Sequence, residues 1–158
     1  MTMNIQLAKK DELEQCAAIL MDTYNKTILD EGWTTKWAVE NMQFNFARQP
    51  DLFFVAKVDG VVAGFCCAYV KPWSKGNVLV LEENCVNTNF RGQGISKKLL
   101  KVLVDAAKTK YDTAVVDAIT YECYDKMPWQ MYQKWGFEKH LHLFLTSIDI
   151  DVLQKSLS

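Results

Sequence analysis

The stretch "VNTNFRGQGISKKLL", residues 86–100, decides how the rest of the chain is read. It leaves a β-rich run, "NVLVLEENCV" (77–86), and enters a helical pattern with apolar residues at Ile95, Leu99, Val102, Leu103 and Ala106. Arg91, Gly92, Gln93 and Gly94 stand between the two. Glycine in a helix interior costs about 1 kcal/mol, so a glycine pair at a helix entrance needs a reason. A helix N-terminus exposes unpaired N–H donors and a partial positive charge. Glycine there lets a ligand reach the backbone without meeting a Cβ. The stretch therefore reads as an anion site, with phosphate the usual occupant, or else as a tight structural turn. Lys97, Lys98 and Lys101 either add positive field or form a solvated helix face. Neither G-x-x-x-x-G-K-[ST] nor G-x-G-x-x-G is present, which argues against a P-loop and a dinucleotide fold.

Working outward, "TAVVDAITY" (113–121) reads as a buried type of strand. Strand–helix–strand from Asn77 to Tyr121 implies parallel pairing with a right-handed crossover. Upstream, "LFFVAKVDGVVAGFCCAYVKPW" is a hairpin whose Asp59-Gly60 forms a two-residue type I′ turn. Before it lie a strand over Met3–Ala8 and two helices. The first carries Leu13, Ala17, Leu20 and Tyr24 at helical spacing. The second is capped by Thr34 or Thr35 and stops before Pro50. Downstream, "DKMPWQMYQKWGF" is a helix ended by Gly136, "FEKHLHLFLTSI" a last strand, and "DIDVLQKSLS" a short helix. The expected order is β-α-α-β-β-β-α-β-α-β. This is a mixed α/β sheet with helices on both faces, in one domain over residues 1–158.

Composition narrows the function. A net charge of −1 and only two arginines, Arg48 and Arg91, argue against nucleic-acid binding. No apolar run approaches the roughly 20 residues that span a bilayer, so no membrane partner is expected. The N-terminus lacks the apolar region of a signal peptide. Five cysteines without a C-x-x-C pair read as reduced, mostly buried thiols, and the expected location is cytoplasmic. His140 and His142 have no ligand spacing to a cysteine pair, so no metal is expected.

"RGQGIS" resembles motif A of the GCN5-related N-acetyltransferases (GNAT), [RQ]-x-x-G-x-[GA], with Arg91, Gly94 and Ser96 in the three defined places. "MYQKWGF" (131–137) resembles the family's motif B, and the element order matches along nearly the whole chain. Ser96 stands where glycine or alanine is usual, Thr88 for a frequent proline, and Asp125 for a frequent asparagine. The tail after Phe137 is short for the usual two final strands. The resemblance implies acetyl-coenzyme A as cosubstrate. It places the pyrophosphate on backbone amides of Arg91, Gly92, Gln93, Gly94, Ile95 and Ser96. It places the pantetheine arm on the strand end at Cys85, Val86 and Asn87, and Tyr132 near the coenzyme sulfur.

Acetyl transfer to an amine needs a base, because amines near pKa 10 are mostly protonated at neutral pH. The departing thiolate needs a proton, and a phenol can donate one, which suits Tyr132. Glu82 and Glu83 interrupt the strand before the glycine turn. Strict alternation would point them to opposite faces. Glu82 is favoured as the buried base, since burial raises a carboxyl pKa toward the useful range. "TILDEGWTTKW" mixes Asp30 and Glu31 with Trp33 and Trp37, and either walls a pocket for a cationic amine or packs its tryptophans into the core. The expected reaction is acetylation of a primary amine on a small cationic molecule. The alternatives are a peptide or protein amine, or a silent coenzyme A-binding domain. A homodimer is compatible with the sequence but not specified by it.

Overall fold

The Asp59-Gly60 turn forms as read. Val58 pairs with Val61, and the two turn residues have φ of +48° and +86°, the left-handed geometry of a type I′ turn. The computed structural model describes residues 2–26, 30–74, 76–120, 127–139 and 152. The chain divides into two compact units, Met1–Ile119 and Thr120–Ser158.

In the first unit, β1 (Met3–Leu7) is followed by α1 (Leu13–Asn25) and α2 (Thr35–Arg48). Thr34 caps α2 by accepting the N–H of Trp37 at 3.4 Å. Then come β2 (Phe53–Val58), β3 (Val61–Trp73), β4 (Gly76–Val86), α3 (Ile95–Tyr111) and β5 (Thr113–Ala118). The sheet runs β1-β2-β3-β4-β5, antiparallel except for the parallel β4–β5 pair. The crossover through α3 thus has the expected parallel outcome.

Helices cover both faces. Phe53, Val55, Phe65, Cys67 and Cys85 join Leu13, Leu20, Ala38 and Met42 in one buried core under α1 and α2. Gly64, next to Phe65, turns to the other face. A Cβ there would lie 2.8 Å from the Cys85 carbonyl oxygen and 3.4 Å from Ile95 Cγ2. Close packing of α3 on β3 and β4 therefore requires glycine at position 64.

Two expectations need correction. α3 buries Leu100 and Ala107 with Ile95, Leu99 and Leu103, whereas Val102 and Ala106 are only half-buried. β5 has no fully buried residue, and Val115 is 50% exposed. Its apolar composition misleads because β4 is its one strand neighbour among the described residues.

In the second unit, α4 spans Met127–Lys134. Gly136 (φ +89°) ends it, with the Phe137 N–H returning to the Tyr132 carbonyl at 3.1 Å. The expected last strand beyond Lys139 and the short terminal helix, Val152 apart, lie outside the described residues, as do Cys123 and Asp125. Among the described residues no helix is long and apolar enough to cross a membrane.

Candidate active site

β4 carries the irregularity that shapes the site. Opposite β3, Cys67 pairs with Glu83 and Ala68 with Leu81, so Glu82 is an extra, bulged residue. The parallel pairing with β5 ends at Leu81 and Ala118, while β4 continues to Val86. Among the described residues no strand pairs with 82–86 on that edge. Backbone direction alternates along that edge. The Asn87 N–H donates to the Ala63 carbonyl at 2.9 Å, inward to β3. By alternation Cys85 also faces β3, leaving Asn84 and Val86 toward the edge. Of the expected pantetheine positions Cys85, Val86 and Asn87, only Val86 has its backbone there.

The bulge also overturns the expected alternation of the two glutamates. Both turn toward α1 and α2. Glu82 meets the Arg48 guanidinium of α2 at 3.0 Å and is 34% exposed. Glu83 receives the Tyr24 hydroxyl of α1 at 2.8 Å. The Cys85 thiol lies 3.7 Å from the same oxygen, Oε2. The shielded carboxylate that sequence assigned to Glu82 is thus Glu83, half-buried where Glu82 is exposed. An extra residue cancels the period of two, and sequence gives no marker of a bulge here.

Burial pushes the Glu83 carboxyl up to about 7. The Tyr24 and Cys85 donors pull it back in part, and the negative charges of Glu82 and Glu31 add to the rise. Tyr24 itself is pushed far above an ordinary phenol by burial and by Glu83, so it stays a donor. Sequence reading placed Tyr24 only on an apolar helix face. The usable signal was chemical, since a core-facing tyrosine needs a partner for its hydroxyl.

Beyond β4, the turn through Thr88–Phe90 leads to Gly92 and Gly94, with φ of +78° and +72°. Those angles require glycine, and a Cβ at either position would face open space. Gly94 is the N-cap of α3 and supplies no capping side chain. The N-cap itself therefore puts no side chain over the first-turn amides, the arrangement that receives an anion. Arg91, Gly92, Gln93 and Gly94 are exposed, Ser96 is half-buried, and Ile95 puts its side chain in the core. The Arg91 Nε donates to the Val86 carbonyl at 3.2 Å. Thr88 bonds Asp22 of α1, which also pairs with Lys26. On the face toward α3, Asn84 Nδ2 reaches the Ser96 carbonyl at 3.5 Å, and its buried Oδ1 has no partner among the described residues.

The segment before α2 splits its two tryptophans. Trp33 packs against the core, while Trp37 is 57% exposed. A hollow of about 410 Å³ is lined by Glu31, Gly32, Trp33 and Trp37. An adjoining one of about 450 Å³ runs along Trp33, Trp37, Glu40, Asn41 and Phe44. Glu31 accepts the Trp33 indole N–H at 2.7 Å, and the Lys36 ammonium sits 4.7 Å from the Trp37 ring centroid. In the second unit, Tyr132 is buried, edge-on to Trp135 at 5.7 Å and Phe137 at 5.0 Å.

A mixed sheet whose fourth strand outruns its parallel neighbour and leads through a glycine turn into α3 agrees with the fold expected from the motif resemblance. The sequence matches the profile of the Acetyltransferase (GNAT) family over residues 13–137, and the chain belongs to that family. It is 27% identical over 141 residues to an uncharacterized N-acetyltransferase of Methanocaldococcus jannaschii. That match covers 87% of this chain and 62% of the relative's length. The fold is similar to that of an aminoglycoside N-acetyltransferase solved with CoA. The TM-score is 0.73 at 21% identity, with 93% of this chain and 95% of that chain covered. A ribosomal-protein-alanine N-acetyltransferase from Brucella melitensis biovar Abortus 2308 is similar at TM-score 0.72 and 17% identity, covering 94% and 100% of the two chains.

Proposed function

We propose that the protein transfers an acetyl group from acetyl-CoA to a primary amine of a small cationic molecule in the cytoplasm, the whole chain acting as one domain. The observation that carries an enzymatic reading is Glu83, a desolvated carboxyl near the end of β4 whose donors among the described residues, Tyr24 and Cys85, are neutral. A silent CoA-binding module has no use for a carboxyl that titrates near neutrality. In this reading the helix-start amides at Gly94–Ser96 and the glycine turn from Arg91 receive the pyrophosphate. The edge-facing backbone of Asn84 and Val86 receives the pantetheine arm. Glu83, rather than Glu82, takes a proton from the acceptor ammonium. Tyr132 donates to the departing thiolate, a role assigned on resemblance to motif B alone.

Charge supports this acceptor class. Glu31, Glu40 and the faces of Trp33 and Trp37 suit a cation. The test is release of free thiol from acetyl-CoA with spermidine, an aminoglycoside and an N-terminal peptide offered separately. Release stimulated by a small cationic amine supports the reading. Stimulation by the peptide alone favours the protein-amine alternative. Calorimetric CoA binding with no stimulated release by any amine would leave only a binding module.

A further inference from the structure

Glu83 has two inequivalent oxygens. Oε2 accepts from the Tyr24 hydroxyl at 2.8 Å and lies 3.7 Å from the Cys85 thiol. Among the described residues no donor is within hydrogen-bond reach of Oε1. An oxygen already holding two donors is the poorer proton acceptor, so an arriving proton binds the other. The groups facing Glu83 are Tyr24 from α1, Glu31 from the segment before α2, Cys66 and Cys67 from β3, and Glu82 and Cys85 from β4 itself. These are neutral or negative, so a neutral donor sets the orientation rather than a salt bridge. Tyr24 is held on α1, which packs on β3 and β4 through the shared core.

We propose that Tyr24 is a positioning residue for the transfer reaction: by occupying Oε2 of Glu83 it fixes the carboxylate plane and makes Oε1 the atom that takes the acceptor's proton. The inference rests on Glu83 being the base. One proton passes from the acceptor ammonium to Oε1, and the neutral amine attacks the acetyl carbonyl. A C–N bond forms and the C–S bond breaks. The remaining excess proton on nitrogen ends on the coenzyme sulfur, and the Oε1 proton returns to solvent.

The test needs no identified acceptor. With glutamate labelled at the side-chain carboxyl carbon, the Glu83 signal is assigned by its loss in Glu83→Gln and followed by NMR as pH is varied. Wild-type Glu83 is expected to titrate at about 7. Tyr24→Phe removes a donor to the charged form, so its midpoint rises by about half a pH unit or more. Cys85→Ala raises it by less. An unmoved midpoint in a folded Tyr24→Phe protein overturns the proposal. If that variant fails to fold, wild-type protein labelled at the tyrosine Cζ decides instead: a Tyr24 signal that does not follow the Glu83 midpoint overturns the proposal. The base assignment fails separately, if Glu83→Gln keeps wild-type thiol release with an amine that stimulates it. A shifted titration with an active Glu83→Gln protein would leave the Tyr24 contact real but refute its part in catalysis.

Discussion

Two carboxylates in the first unit are shielded from water, one buried and one half-buried, and they behave in opposite ways. Glu12, just before α1, is 4% exposed. It accepts the Lys9 N–H at 2.8 Å and pairs with the Lys57 ammonium of β2. Burial pulls its pKa upward, but Lys57 and the Lys9 N–H outweigh burial and hold the carboxyl below its ordinary value. Glu83 meets only neutral donors among the described residues, and burial lifts it to about 7. Burial alone therefore does not mark a chemical carboxylate. The charge of the partner does, because only an uncompensated carboxyl is left near neutrality to exchange protons.

The sharpest way to break this contrast is to neutralise each carboxylate in turn. Glu83→Gln keeps the shape and removes proton uptake. Turnover with a responsive amine should fall at least about 100-fold, the usual range for a general base. Glu12→Gln should keep turnover within a few-fold of wild type when corrected for folded protein. Equal losses in the two variants would erase the distinction.

The next largest effect is on folding, and the roles reverse. Glu12→Gln leaves the Lys57 ammonium without its carboxylate. Losing one partner of a fully buried pair costs about 3–5 kcal/mol. Lys57 is 26% exposed, so water recovers part of this and about 1–3 kcal/mol is expected. Urea unfolding at pH 7 measures it. A loss below a few tenths would mean that the Glu12–Lys57 pair does not hold the entry of α1.

The contrast was only half legible in the sequence. Periodicity and turn chemistry gave the hairpin at Asp59-Gly60, the crossover through α3 and the glycine-led helix start, because each is set by neighbours along the chain. The resemblance at Arg91–Ser96 pointed to the donor for the same reason. The bulge at Glu82 is set by register against β3, which no local pattern reports. It moved the shielded carboxyl from Glu82 to the half-buried Glu83 and put both glutamates on one side. The Tyr24–Glu83 contact spans 59 positions and depends on α1 crossing that bulge. Gly64 looked like an ordinary strand residue until the 2.8 Å approach to Cys85 gave it a reason.

The smallest effect is the one that separates the two carboxylates most cleanly, since it has opposite signs. Glu12 has a folded pKa below its ordinary 4.5. Its stabilisation is complete above that value and is lost as pH falls through the folded pKa. Glu83 has a folded pKa of about 7 against an ordinary 4.5. Between those two values the unfolded chain has released a proton that the folded chain retains. Stability therefore declines as pH rises from about 4.5 to about 7 and is level above. The full shift corresponds to about 3 kcal/mol, and partial solvent access reduces the expected change to about 1–2 kcal/mol. Glutamine resembles the protonated acid, so Glu83→Gln should match wild type at pH 4 and exceed it by about that amount at pH 8. Urea unfolding at pH 4, 6 and 8 decides it. If Glu83→Gln is less stable than wild type at pH 8, the Glu83 carboxyl is held by more than Tyr24 and Cys85, and its burial would be structural like that of Glu12.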